Sequence, residues 1–232
     1  MVYIISELCG QWGGSIQRIE QMILQSKFSG ANAVKIQLYD TYMMPGNNRK
    51  KWEYLNFSKD QFTHLLNYCN NLNIDFFASC FQEKYFKWIV DHNLKINKIA
   101  SSTLTDIDFS EKMIKTGIKT YASLGHWKDK SNLPFQNYNN VEFLHCVSKY
   151  PHYYKEAIDL MPVGFGKNKL TGYSDHTIGI DSCKEAINRG AKVIEKHFTI
   201  DKSLQKETES AHICSMNWKE LEKLRQYCEA IS

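Results

Sequence analysis

Two histidines, His176 in "GYSDHTIG" and His197 in "VIEKHFT", stand 21 residues apart, and each follows an apolar run of strand character. That interval accommodates one strand and one helix. The imidazoles are therefore expected at the ends of adjacent parallel strands, pointing at a common place. Such a pair suits a divalent metal acting as a Lewis acid. An arbitrary pair of histidines is more often two ordinary strand-end polar residues; the company these two keep is what argues for a site.

The elements that must position them alternate along the whole chain. Short apolar runs recur at 2–7, 32–39, 74–79, 96–101, 118–123, 141–146, 169–174 and 191–198. Being apolar on both faces, they read as buried parallel strands. Amphipathic stretches lie between them. "GSIQRIEQMILQSKFSG" puts Ile16, Ile19, Met22, Ile23 and Phe28 on one helical face and stops at Gly30. "SKDQFTHLLNYCNNLN" begins on Ser58 as N-cap. Eight such units predict one (β/α)8 TIM barrel over 1–232, with function at the C-terminal strand ends. A doubly wound sheet is the fold alternative. The segment 127–140 contains Pro134 and lacks a 3.6-residue period, so the fifth helix is expected to be short or missing. The long polar loop 40–57 is placed over the mouth as a lid.

The strand ends then form a single list: Glu7, Lys35 and Gln37, Ser79, Lys98 and Ser101, Ser123, His145 to Ser148, Ser174 to His176, and Glu195 to His197. A purely structural core would not collect polar groups at one end of nearly every strand. Buried polar groups need partners, and a shared ligand is the natural one. Serine hydroxyls with an ammonium suit a phosphate, and the two imidazoles suit a metal. The set points to a phosphorylated, oxygen-rich substrate and a Lewis-acid step. Alternation along the eighth strand turns Glu195 toward the same mouth as His197, to contact substrate or a metal-bound water, or else to pair with a barrel lysine.

Through "SELCGQWGGS", "GANAVKIQ", "FFASCF", "NKIASS", "LHCVSKYP", "GYSDHTIGI", "GAKVIEKHFT" and "CSMN" the chain resembles the phosphoenolpyruvate-dependent sialic acid synthases. The resemblance implies that His176 and His197 bind metal, most often manganese, with magnesium or cobalt as alternatives. It implies that Lys98, Ser101, Ser123, Ser148 and Ser174 hold the phosphate of phosphoenolpyruvate, with Lys35 and Ser79 near its carboxylate. Glu7, Asn47 and Tyr150 match groups on the sugar side. The implied reaction joins phosphoenolpyruvate to the aldehyde of an open-chain amino sugar, giving a nine-carbon keto acid and phosphate.

Four departures bear on the acceptor. An acidic residue after the Lys-Ser phosphate motif is Thr103 here, and a hydroxyl cannot act as a carboxylate base near neutral pH. The Asn-His pair after the first strand is Gln11-Trp12, with Trp12 a candidate floor for a sugar pocket. An Asp before the last helix aligns with Ala211, leaving Glu207, Glu209 or His212 as substitutes. The chain is read as the barrel alone, without the family's C-terminal antifreeze-like domain. The metal and phosphoenolpyruvate groups persist while the sugar and proton-transfer groups differ, so an acceptor other than N-acetylmannosamine is expected. Two other readings stay open: a non-catalytic or regulatory sugar-phosphate-binding paralogue, and a different metal-dependent barrel enzyme using His126 and His145. His145 is read as a structural imidazole, hydrogen-bonded within the barrel.

Composition narrows the partners. A balance of +4, with no basic block, argues against nucleic acid. No apolar run reaches the about 20 residues of a membrane helix, and the N-terminus carries no signal-peptide pattern, so a cytoplasmic protein is expected. Seven cysteines without a CxxC pair read as reduced thiols. A monomer or a barrel-mediated homodimer is expected.

Overall fold

The computed structural model describes residues 1–41, 49–206 and 211–231. Eight parallel strands close into a barrel in chain order: β1 (Tyr3–Glu7), β2 (Ala33–Leu38), β3 (Asp75–Cys80), β4 (Ile96–Ile99), β5 (Lys119–Ser123), β6 (Val141–Cys146), β7 (Leu170–Asp175) and β8 (Val193–His197). All eight runs expected from the sequence are strands, and β1 pairs with β8 to shut the cylinder. The helices are α1 (Ile16–Phe28), α2 (Lys59–Asn71), α3 (Glu83–Asp91), α4 (Ile107–Lys115), α5 (Tyr154–Leu160), α6 (Asp181–Asn188), α7 (Ala211–Cys214) and α8 (Trp218–Ala230). Both faces of each strand are covered, which is why the strands lack the clean alternation of a half-exposed sheet. Ile4, Ile36, Ala78, Ile99 and Ile194 are fully buried. Each large side chain so buried contributes roughly 1.5–3 kcal/mol by leaving water.

Ser58 caps its helix as expected, and the first helix has a cap that was not assigned from the sequence. Ser15 caps α1 by accepting from the Arg18 amide, and Ser58 with Gln61 forms a reciprocal capping box on α2. At the end of α1 the chain turns through Gly30 at φ 97°, a conformation that glycine adopts without a Cβ penalty. Phe28 corrects one expectation: it is 79% exposed, because nine residues after Ile19 the regular helical period places it on the face opposite Ile19, Met22 and Ile23.

No helix forms between β5 and β6. In its place the Asp129 carboxylate accepts from the amides of Ser131 and Asn132, a local turn that competes with helix formation. The lid expectation falls partly on 42–48, outside the described residues; its descending limb is a 3-10 helix at Arg49–Leu55. All seven cysteines are buried and unpaired as disulfides. Among the described residues no helix is long and apolar enough to cross a membrane.

Candidate active site

Because side chains alternate along a strand, the barrel's C-terminal rim receives Glu7 from β1, Lys35 and Gln37 from β2, Lys98 from β4, Ser123 from β5, Cys146 from β6, Ser174 from β7, and Glu195 and His197 from β8. Ser101, Ser148, Tyr150 and His176 join them from the residues just beyond strand ends. Together they line a cavity of about 170 Å³. Eleven of the thirteen residues singled out from the sequence meet there. Asn47 lies outside the described residues. Ser79 sits a layer deeper, fully buried, with its hydroxyl 3.1 Å from Lys35 Nζ. It orients the ammonium instead of forming the wall.

A chain of charges crosses the floor. Lys35 pairs with Glu7 and, at 3.1 Å, with Glu195 Oε2. Glu195 also lies 3.6 Å from Lys98 Nζ and accepts from Ser174 Oγ at 2.8 Å. Glu195 lines the cavity and pairs with both barrel lysines. Burial favours its neutral form, but Lys35 and then Lys98 outweigh that and hold the carboxyl well below the usual range. Burial pushes the Glu7 carboxyl up, only partly countered by Lys35. It likewise lowers Lys98, to about 8, with Glu195 opposing. Lys98 donates to Ser123 Oγ at 2.8 Å.

Beside Lys98 the wall recedes at Gly125. A β-carbon there would stand 2.2 Å from Ser148 Oγ, 2.7 Å from Ser101 Oγ and 3.2 Å from Cys146 Sγ. The Gly125 amide donates to Ser101 Oγ at 3.1 Å. Two cavity-lining hydroxyls and a thiol thus pack directly against Gly125, where any side chain would push them aside. Cys146 fell within the strand-end stretch His145 to Ser148, but Gly125 was not singled out; a glycine two residues past a strand in "SLG" was the available signal. His126, the next residue, is exposed and lines the mouth.

Adjoining this group, with Cys146 Sγ 3.9 Å from His176 Nδ1, the imidazole centroids of His176 and His197 lie 5.6 Å apart. His176 Nδ1 donates to the Val147 carbonyl at 2.8 Å, which leaves Nε2 as an acceptor, and the Tyr150 hydroxyl sits 2.6 Å from it. His197 Nδ1 is buried without a hydrogen-bond partner. Burial, then His176 and Lys35, press His197 well below its ordinary value, so it stays neutral and able to ligate. Among the described residues no group of three or more His, Cys, Asp and Glu side chains could hold a metal ion. A cation held here would rest on two imidazoles and leave its other positions to small-molecule oxygens. Burial lowers His176, but Cys146 and the Val147 carbonyl outweigh it and raise that imidazole above its ordinary value; the orphaned, neutral His197 nitrogen beside it fits the ligand role.

Three sequence expectations need correction. His145 is stacked on Tyr173 at 5.8 Å, but its Nε2 has no hydrogen-bond partner; burial lowers it to about 4 and keeps it neutral. Trp12 does not floor the pocket: it is 1% exposed and stacked on Phe57 at 4.3 Å, where the apolar residues beneath the β1–α1 loop bury it. His212 is buried against Thr199 Oγ1, 3.1 Å away, and does not line the cavity. Glu207 and Glu209 lie outside the described residues. Thr103 is buried in a short 3-10 helix after β4.

The NeuB family pattern matches residues 22–232. The chain belongs to the NeuB family. It is 30% identical to the N-acetylneuraminate-9-phosphate synthase of Drosophila melanogaster, over 96% of this chain and 66% of that protein. It is 29% identical to the N,N'-diacetyllegionaminic acid synthase of Legionella pneumophila, over 97% of this chain and 70% of that one. The crystal structure of N-acetylneuraminic acid (sialic acid) synthetase from Leptospira borgpetersenii, in complex with citrate, superposes with a TM-score of 0.86 at 29% identity. The match covers 99% of this chain and 83% of that chain. The chain thus spans about two thirds of the length of the curated relatives it matches.

Proposed function

We propose that the barrel condenses phosphoenolpyruvate with the aldehyde of an open-chain amino sugar, giving a nonulosonic-type 2-keto-3-deoxy acid and phosphate. The observation that carries this reading is the meeting, in one cavity, of the hydroxyl-and-ammonium cradle around Gly125 with the His176/His197 pair. The names of its relatives as synthases of nonulosonic acids support it.

In this reaction C3 of the enol attacks the aldehyde carbon, whose oxygen takes up a proton. Water then adds at C2, losing a proton, and the tetrahedral intermediate expels phosphate. Lys98, Ser101, Ser123, Ser148 and Ser174 orient the phosphate and receive its growing charge as it leaves. Lys35, held by Ser79, Glu7 and Glu195, neutralises the carboxylate. Glu7 carries a carboxyl raised by burial and is suited to hold a proton at the mouth. Tyr150, at the rim, faces the acceptor side. His176 and His197 would hold a divalent cation, manganese first and magnesium or cobalt as alternatives, which supplies Lewis acidity toward the aldehyde oxygen when bound. The acceptor in this proposal is not N-acetylmannosamine, since Thr103 and Ala211 stand where carboxylates are expected.

Thr103 also favours a second reading, a non-catalytic sugar-phosphate-binding paralogue, because its hydroxyl cannot take a proton from water. One experiment separates the two. The protein is incubated with manganese, phosphoenolpyruvate and a panel of hexosamine and pentose aldehydes, and phosphate is measured. Release dependent on one sugar supports the enzyme. Phosphoenolpyruvate binding by calorimetry without release under any sugar supports the binding module.

A further inference from the structure

Behind the wall that carries the two histidines lies a second charged pair that never reaches the cavity. Asp175 and Lys196 are register partners on β7 and β8, and both side chains are 0% exposed. Lys196 Nζ bonds Asp175 Oδ2 at 2.5 Å and the Thr177 carbonyl at 2.7 Å. The Asp175 carboxylate is fully engaged. Its Oδ1 accepts from Tyr173 OH and the Thr177 amide, both at 2.9 Å, and its Oδ2 accepts from Thr177 Oγ1 at 3.0 Å and Cys183 Sγ at 3.2 Å.

These bonds bracket His176. Asp175 holds the amide of the residue after it, and Lys196 holds the carbonyl of that same residue. The turn leaving β7 is thereby tied to the strand whose next residue is His197. Alternation does the rest: Asp175 and Lys196 point outward, so their neighbours Ser174, His176, Glu195 and His197 point inward. A buried ion pair is a poor source of stability compared with apolar residues of the same volume, so its presence calls for another account. A pair fully satisfied by five donors has one geometry only, and that geometry sets the offset between two ring nitrogens on different strands.

We propose that Asp175 and Lys196 are positioning residues whose buried pair fixes the mutual placement of the His176 and His197 imidazoles. The proposal rests on the reading of those rings as a cation site, and its test keeps the two apart. Asp175→Asn alone strands an ammonium in the interior and is expected to unfold at lower temperature. The double variant Asp175→Asn/Lys196→Met leaves no buried charge and is expected to recover most of that loss. Two readouts are taken on the folded double variant: Mn2+ affinity by calorimetry, and the His176 tautomer by nitrogen-15 NMR of labelled histidine without metal. The expected result is Mn2+ affinity at least tenfold weaker than wild type, with the Nδ1-protonated tautomer of His176 no longer dominant. Wild-type affinity and an unchanged tautomer, in a variant of recovered stability, would overturn the proposal. If wild-type protein itself binds no Mn2+, the cation reading falls and the tautomer alone decides the clamp. Should the double variant not fold, Tyr173→Phe removes one bond to Asp175 and no charge. There, Mn2+ affinity threefold weaker at unchanged melting temperature supports the clamp, and no change overturns it.

Discussion

Gly125 and Ser148 approach so closely that a β-carbon on the glycine would lie 2.2 Å from the serine Oγ. The placement of the Ser148 and Ser101 hydroxyls therefore depends on Gly125 having no side chain. Gly125→Ala is expected to retain the fold, since the atoms that must give way belong to side chains at the cavity rim and not to backbone. Crowding of this kind costs about 1–3 kcal/mol, or roughly 5- to 150-fold in phosphoenolpyruvate affinity. Calorimetric titration of the two proteins at equal pH checks it; equal affinities would place the phosphate elsewhere.

Lys98 sets an upper pH limit for anion binding. Burial brings it to about 8, below its ordinary 10.5. Between those values the unfolded chain keeps the proton that the folded chain has released, so this group's contribution to stability rises with pH across the window. Binding runs the other way, because the cradle needs the ammonium. Phosphoenolpyruvate affinity is expected to decline as pH rises through about 8, with proton uptake on binding above it. Titrations in two buffers of different ionisation enthalpy read that uptake directly. Lys98→Met should show weak binding without the pH slope.

His176→Ala and His197→Ala are each expected to abolish Mn2+ binding while changing metal-free phosphoenolpyruvate affinity only a few-fold. The physical reason is the chemistry of the two groups: the phosphate would be held by hydroxyls and the Lys98 ammonium, the cation by the two imidazoles. Manganese electron paramagnetic resonance on the variants provides the measurement. Retained stoichiometric Mn2+ in either variant would remove the two-imidazole site.

The Tyr150 hydroxyl occupies His176 Nε2 at 2.6 Å, where a cation would otherwise bind. Tyr150→Phe removes a hydrogen bond worth about 0.5–1.5 kcal/mol, and Mn2+ affinity is expected to rise by up to roughly tenfold. Weaker binding in this variant would show that the hydroxyl assists the metal instead of competing with it.

Glu195 stands between two buried ammonium groups, 3.1 Å from Lys35 and 3.6 Å from Lys98. Glu195→Gln leaves them with less compensation, and removing one partner from a buried pair typically costs about 3–5 kcal/mol. Urea denaturation near neutral pH should register most of that loss. A loss under about 1 kcal/mol would mean that Glu7 alone suffices to balance the lysines.

Legibility differed by the kind of signal. Eight strands, the capped start of α2, and the missing helix before β6 all follow from local periodicity and capping chemistry, which a chain carries residue by residue. Phe28 was assigned to the wrong face: nine residues from Ile19, the 3.6-residue period turns it to the opposite side of the helix. His145 and Trp12 escaped because their partners, Tyr173 and Phe57, come from other elements.

The order and spacing of the residues by themselves determined that polar groups would gather at one end of a parallel barrel and that His176 and His197 would be neighbours. Only the closed tertiary structure decided which of those groups touch: Ser79 beneath Lys35, Glu195 between two lysines, Gly125 against Ser148, Asp175 against Lys196. Side-chain direction along a strand is a two-residue property of the backbone. Distance across a barrel depends on how every strand is staggered against the next, and no single segment contains that information.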